Sequence, residues 1–164
     1  MRVGVTGHQR LPGRGVWPWV RTSIATILPL DHVVGLSSLA VGTDQLFAEV
    51  VLEHRGSLTA VIPFPDYESR FHERRQRFVS LLHRATEIVR LEGTASDEES
   101  YYEAGRWIVD HCDWMVAVWN GLPARGRGGT ADIVAYAKRM QRPLVHINPV
   151  NRVIQGAEQS ADPS

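Results

Sequence analysis

The chain has 164 residues, of which 43% are hydrophobic and 22% charged, and this composition predicts a single globular domain with a substantial core. Its 18 basic and 18 acidic side chains give zero formal net charge, which argues against a general nucleic-acid binder, because such proteins need a basic surface. The single cysteine, Cys112, excludes an intrachain disulfide. With no predicted signal peptide or membrane span, we expect a cytoplasmic protein.

Predicted strands alternate with predicted helices along the chain. Short β-branched or apolar runs predict strands at residues 2–6, 31–37, 58–63, 86–91, 114–119 and 143–147. Apolar residues at helical spacing predict helices at residues 19–28, 43–55, 67–84, 96–112 and from 130 onward. The last segment, residues 151–164, is polar and has no periodicity, so we expect a mobile C-terminal tail.

This alternation predicts the fold class. We expect an α/β domain over residues 1–150, with a single doubly wound, mostly parallel sheet and helices on both faces, as in Rossmann-like folds. In such sheets ligands bind beyond the carboxyl ends of the strands, where the strand order reverses. The functional residues should therefore lie in the loops that follow the strands.

The loop over residues 120–130 is the strongest candidate for phosphate binding. It begins at Asn120, is rich in glycine, and ends at Gly128, Gly129 and Thr130, where a helix is predicted to begin. A helix N-terminus presents free amides and the positive end of the helix dipole, which together bind anions. The alternative interpretation is an ordinary glycine-rich connection in which Thr130 caps the helix.

Two further loops carry polar residues at the same predicted edge of the sheet. Their candidate ligand-binding residues are Gly7, His8, Arg10, Ser37, Ser38 and Asp44. The histidine and arginine suit hydrogen bonds to a base, sugar or phosphate, and the aspartate suits a ribose hydroxyl. The alternative is a satisfied loop histidine, a solvated arginine and an acid that complements the dipole of its helix.

Catalytic groups are harder to assign from the sequence. Asp132, Asp44 and His8 are the candidates, because each lies in or beside one of these loops. Arg125 and Arg127 flank the glycine loop and either clamp a phosphate or are solvated. The histidines are dispersed and no nucleophile elbow is present, so we expect no metal site and no cofactor apart from a nucleotide-derived ligand.

Three segments resemble a known superfamily in their order and spacing. They are VTGHQRL, GLSSLAVGTDQLFAEVVLE and HCDWMVAVWNGLPARGRGGTADIVAYAKRMQRPLVHINP, and the resemblance that they carry extends over about residues 1–149. They look like the Rossmann-like SLOG superfamily, named after the DNA-processing protein Smf/DprA and the Lonely Guy enzymes. The resemblance implies a nucleotide or nucleotide-derived ligand at the carboxyl edge, with phosphate contacts from Gly128, Gly129 and Thr130.

The Lonely Guy branch hydrolyses nucleoside monophosphates with the signature P-G-G-x-G-T-x-x-E. Here Ile133 occupies the position of the catalytic glutamate, and the nearest acid, Asp132, is one position early. The resemblance therefore favours binding or sensing of a small nucleotide-derived molecule, and the alternative is a nucleotide N-glycosidase that releases free base. As partners we expect this small-molecule ligand and a second copy of the chain in a homodimer or larger homo-oligomer, with no membrane and no general nucleic-acid binding.

Overall fold

The computed structural model describes residues 1–124 and 126–156, so Arg125 and the end of the predicted tail lie outside the described residues. The strands are β1 (Arg2–Gly7), β2 (Val34–Ser37), β3 (Ser57–Ile62), β4 (Glu87–Arg90), β5 (Trp114–Val118), β6 (Leu144–Asn148) and β7 (Val153–Gly156). The α-helices are α1 (Val16–Ile27), α2 (Thr43–Glu53), α3 (Arg75–Arg84), α4 (Asp97–His111) and α5 (Thr130–Arg139), and a 3-10 helix covers Tyr67–Arg74. No helix in the described part of the chain is long and apolar enough to cross a membrane.

The strands form one sheet in the order β4-β3-β2-β1-β5-β6-β7. All neighbouring pairs are parallel except β6 and β7. Strands β1 to β4 follow one another from the centre of the sheet to one edge, and strands β5 to β7 follow one another from the centre to the other edge. The strand order therefore reverses between β1 and β5, and a crevice forms beyond their carboxyl ends.

Helices cover both faces of the sheet, which confirms the predicted Rossmann-like α/β class. Helices α1 and α2 pack with Val3, Val5 and Val116 in one buried cluster. Helices α4 and α5 pack with Leu36 and Met115 in another. These strand residues alternate between the two clusters because successive side chains of a strand point to opposite faces.

Helices α4 and α5 meet closely below the crevice. A Cβ atom added to Gly105 would lie 2.2 Å from Cδ1 of Ile133, which real side chains cannot approach. Glycine at this position of α4 therefore lets α5 sit close enough for its N-terminus to face the sheet edge. The packing of two buried helices thus sets the position of the glycine loop that precedes α5.

Two predictions about elements were wrong. Part of the predicted mobile tail, Val153–Gly156, forms β7, an exposed strand that pairs antiparallel with β6. Strand β7 forms because its backbone hydrogen-bonds to β6. Its own sequence has no alternating apolar pattern from which a strand could be predicted. The predicted single helix over residues 67–84 is divided, because His72 has φ 49 and interrupts the helical backbone before α3 begins.

Candidate functional site

A cavity of about 360 Å³ opens at the carboxyl edge of the sheet, where the strand order reverses. This volume lies within the ~300–1,000 Å³ typical of small-ligand pockets. Loops from both halves of the sheet meet there. The residues predicted from sequence that line it are Gly7, His8, Ser38, Asp44, Gly128, Gly129 and Thr130. The structure thus places the glycine loop and the first two loops at one edge, as expected.

The loop after β1 is fixed against the start of α2. The carbonyl oxygen of His8 accepts hydrogen bonds from the Thr43 hydroxyl at 2.8 Å and from the Thr43 amide at 3.2 Å. A Cβ atom at Gly7 would lie 2.4 Å from the Thr43 side chain, so the two segments touch. The His8 ring is fixed as well, because its Nε2 accepts from the Asn120 amide at 3.2 Å. That nitrogen is an acceptor here and not a proton donor.

The predicted contacts Ser37, Arg10 and Asn120 do not line this cavity. Ser37 is fully buried, and its hydroxyl donates to the carbonyl of Asp44 at 3.1 Å and accepts from the amide of Leu39 at 3.0 Å. It therefore stabilises the loop between β2 and α2 through these two hydrogen bonds and does not face the cavity. Arg10 and Asn120 both line a neighbouring depression, where the Asn120 side chain accepts from the Leu122 amide.

Asp44 is the most perturbed acid of the site. It is 9% exposed and lines the cavity. Burial raises its pKa from 3.8 to about 7, against the opposing effect of backbone hydrogen bonds from Ala40 and Ser38. The Ala40 bond is long, at 3.4 Å. The buried Tyr67 lies close enough that burial and the charge of Asp44 together hold its pKa well above the usual range.

The glycine loop is docked on the start of α4. Gly128 has φ 85, and an added Cβ atom would lie 2.5 Å from the Glu98 carbonyl oxygen. The Arg127 guanidinium pairs with Glu99 at 2.7 Å, so it faces α4 and not the cavity. These contacts set the direction in which the N-terminus of α5 points.

Asp132 closes this loop from the other side. Its carboxylate accepts a hydrogen bond from the Gly128 amide at 3.0 Å, and Asp132 does not line the cavity. The next amides, of Gly129, Thr130 and Ala131, donate to no other described residue. The N-terminus of α5 therefore keeps free donors beside the cavity.

The opposite wall of the cavity was not predicted from sequence. It is formed by Tyr67, Arg70 and Phe71 of the 3-10 helix and by Tyr101 of α4. Their aromatic spacing looks like an ordinary core stripe, and the buried Tyr67 and Phe71 do serve the core. The signal that would have located Tyr67, Arg70 and Phe71 is that their helix follows the carboxyl end of β3, and Tyr101 likewise lies in the first helix after β4.

Arg70 is the one arginine or lysine among the described residues that line the cavity. Its guanidinium binds both carboxylate oxygens of Asp97, at 2.6 and 3.3 Å, and lies 5.1 Å from the centre of the Phe64 ring. This pairing raises the pKa of Arg70 and lowers that of Asp97. Arg70 also pairs with Asp66 at 3.3 Å, so an anion in the cavity would have to replace one of two acids that already bind this guanidinium.

Ile133 is buried at the floor of the cavity, with 3% of its surface exposed. It is the position at which the Lonely Guy signature carries glutamate. An isoleucine there packs against Gly105 and supplies neither a charge nor a proton.

Two of the solved structures that share this fold are DNA processing proteins. DNA processing protein A (DprA) from Streptococcus pneumoniae matches with TM-score 0.62 and 18% identity, over 88% of this chain and 49% of that chain. DprA from Helicobacter pylori, described in a study of its single-stranded DNA binding mode, matches with TM-score 0.66 and 16% identity, over 89% and 64%. This chain thus spans about half to two thirds of those proteins, and the likeness shows that it shares the Rossmann-like fold of the matched part of DprA. No family model and no curated protein matches the sequence.

The comparison contradicts the predicted partners, a small-molecule ligand with no general nucleic-acid binding. The Helicobacter pylori protein, part of which shares this fold, binds single-stranded DNA. The argument from charge was wrong because zero net charge describes the whole chain, whereas binding of a phosphate backbone depends on the local distribution of arginine and lysine.

Proposed function

We propose that the chain binds a nucleotide in the cavity between β1 and β5. The observation that carries this proposal is the N-terminus of α5, whose amides at Gly129, Thr130 and Ala131 have no partner among the described residues and lie beside the cavity. Such a helix end attracts a phosphate through its donors and its dipole. The carboxylate of Asp132 already accepts the preceding amide, so the remaining donors define where the phosphate sits.

The opposite wall of the cavity suits the base of a nucleotide. Tyr101 is half-buried and lines the cavity, so its ring offers a face to a base. Stacking of a base on an aromatic side chain contributes about 1–3 kcal/mol. Arg70, at the same wall, offers a guanidinium that exchanges Asp97 for a ligand oxygen or stacks on the base.

The proposed source of this nucleotide is single-stranded DNA, and a free nucleotide, which has the same chemistry, is the second source that the test must distinguish from it. The relative from Helicobacter pylori binds single-stranded DNA, which supports the first source. The measured ligands should therefore include both thymidine monophosphate and a single strand of about ten thymidylates, a length within the usual site sizes of single-strand grooves. Binding of the strand alone assigns the first source, and binding of the monophosphate assigns the second.

Gly129→Val tests the site itself. A Cβ atom at Gly129 would lie 3.8 Å from Cβ of Ala124 and 3.9 Å from the Gly126 carbonyl oxygen, both ordinary contacts, so valine fits the fold but projects where the phosphate would lie. We expect calorimetry to show a loss of at least about tenfold in affinity for whichever ligand binds. Gly126→Val is the matched control, because a Cβ atom at Gly126 meets nothing within 4 Å and Gly126 does not line the cavity. Equal affinities of the two variants would contradict the proposed site.

Asp44 favours a second candidate function, hydrolysis of the N-glycosidic bond of a bound nucleotide. A carboxyl with a pKa of about 7 exists in both protonation states near neutral pH, as a general acid or base requires. In this reaction water adds to the sugar carbon, the bond to the base breaks, and the base leaves with a proton. Asp44 would take the proton from water or stabilise the cationic sugar, in place of the absent glutamate at Ile133.

Chromatography of a nucleoside monophosphate incubated with the chain tests this candidate. Hydrolysis predicts accumulation of free base by the wild-type chain and loss of that activity in Asp44→Asn, which removes the ionisable group. If no base accumulates while calorimetry shows binding, the chain binds without hydrolysis and the second candidate is wrong.

A further inference from the structure

A second depression of about 420 Å³ adjoins the cavity and has a basic lining. Arginine side chains from two separate segments meet there, one from the loop after β1 and two from the region of the 3-10 helix and α3. The lining residues that matter here are Arg10, Arg74, Arg77 and Trp17. Gln9 and Val41 line both this depression and the nucleotide cavity, so the two spaces are contiguous.

The charge of this depression is not neutralised locally. Arg77 is paired, because its guanidinium binds both carboxylate oxygens of Glu49 at 2.7 and 2.8 Å. Arg10 and Arg74 are exposed and make no ion pair with any described residue. None of the described residues that line the depression is an aspartate or a glutamate. Two positive charges are therefore left over at one place on a chain whose net charge is zero.

We propose that Arg10 and Arg74 form a subsite for a second phosphate, attached to the nucleotide in the main cavity. This rests on the proposed nucleotide binding and goes beyond it, because it requires a ligand with a phosphate on each side of the loop at Gln9. Arginine suits this role, since its guanidinium binds phosphate oxygens in pairs. The half-buried ring of Trp17 provides an apolar face beside the charges.

Arg10 also connects this subsite with the glycine loop. It lines a further depression of about 410 Å³ together with Gly129 and Thr130. The free donors at the start of α5 and the unpaired arginines thus border a continuous surface around the loop that follows β1. A phosphodiester that leaves the main cavity on either side of this loop meets Arg10.

The test compares three ligands on one double variant. The ligands are thymidine monophosphate, the 5′-phosphorylated dinucleotide pTpT and a single strand of about ten thymidylates. The variant is Arg10→Gln with Arg74→Gln, both exposed positions at which glutamine keeps much of the side chain. Arg55→Gln with Arg84→Gln is the control, because it removes the same charge from the ends of α2 and α3 at the opposite edge of the sheet.

We expect the Arg10 and Arg74 double variant to lose about tenfold in affinity for pTpT and for the strand, with less than about twofold change for the monophosphate. The slope of log affinity against log salt should fall by about 0.7 for each lost phosphate contact. A loss confined to the strand also supports the subsite and assigns it to a polynucleotide. The control should match the wild-type chain with every ligand.

Three results would overturn the subsite. An unchanged affinity for both longer ligands shows that the arginines touch no phosphate, and an equal loss for all three ligands or in the control shows only a general field effect. In each case, binding of the monophosphate or the strand by the wild-type chain would still support nucleotide binding in the main cavity. If the wild-type chain binds none of the ligands, both proposals are wrong.

Discussion

At the scale of single residues, Asp44 distinguishes this site from a plain phosphate pocket. Its carboxyl is buried beside Tyr67 and has no ion-pair partner among the described residues. Burial disfavours the charged form, which is why its pKa rises to about 7. Between about pH 4 and pH 7 the folded protein therefore holds a proton at Asp44 that the unfolded chain releases.

Asp44 should make the free energy of unfolding fall as pH rises. Its pKa is 3.8 in the unfolded reference and about 7 in the folded chain, so the folded state binds more protons between these values. The contribution of this residue is greatest below pH 3.8 and is lost as pH rises through about 7. In total it amounts to about 4 kcal/mol. Urea unfolding at several pH values measures it.

Asp44→Asn is the matched variant for this prediction. Asparagine keeps the shape and a hydrogen-bond acceptor for the Ala40 amide but cannot ionise. The variant should lose this part of the pH dependence and exceed the wild-type chain in stability at pH values above about 7. Parallel pH profiles of the two proteins would show that Asp44 keeps an ordinary pKa in the folded chain.

At the scale of elements, the decisive contact is that of the glycine loop with α4. Gly128 combines a left-handed backbone with an approach to the Glu98 carbonyl that leaves no room for a side chain. The pair of Arg127 with Glu99 joins the same two segments, but it is exposed and contributes little to stability. The close backbone contact, rather than charge, therefore fixes the start of α5.

Gly128→Ala should destabilise the chain by about 1–3 kcal/mol, through strain at positive φ and contact with the Glu98 carbonyl. Thermal or urea unfolding measures the loss. Gly126→Ala, in the same loop but with open space around it, should change stability by less than about 0.5 kcal/mol. Equal stabilities of the two variants would mean that the loop is not docked on α4 as described.

The elements were predictable from sequence where local pattern decides them. Ser96 illustrates this: Ser96 and Glu99 have the spacing of a capping box, and the Ser96 hydroxyl accepts a hydrogen bond from the Glu99 amide at 3.2 Å. Elements decided by tertiary contacts were not predictable. Strand β7 forms because β6 provides a hydrogen-bonding partner for it. The break at His72 separates α3 from the part of the 3-10 helix that places Tyr67 and Phe71 in the core.

The residues of the candidate site also fall into a group that the sequence predicts and a group that it does not. The glycine loop and the loops after β1 and β2 follow from the rule that ligands bind beyond the carboxyl ends of parallel strands. The wall with Tyr67, Arg70 and Tyr101 depends on how the 3-10 helix folds over the edge, which no local pattern indicates. Ser37 has the residue type of a ligand contact, but its hydroxyl is used by the loop itself.

At the scale of the whole molecule, the strand order explains why one edge carries all of these features. The reversal between β1 and β5 separates their following loops, and the space between them is closed from the side by the starts of α4 and α5. Charge has to be considered at this scale too. A chain with zero net charge still gathers Arg10, Arg74 and Arg77 beside the cavity, and of these Arg77 is paired with Glu49 whereas Arg10 and Arg74 form no ion pair with a described residue.

The central claim is that a nucleotide binds at this edge and nowhere else on the described surface. Titration of the ¹⁵N-labelled chain with thymidine monophosphate and with the single strand, followed by NMR of the backbone amides, measures it directly. We predict that the amides of Gly7, Ser38, Gly129 and Thr130 shift on addition of the bound ligand, while those of Gly56 and Ala85 at the opposite edge stay unchanged. Shifts centred on Gly56 and Ala85, or no shifts with either ligand at millimolar concentration, would contradict the account.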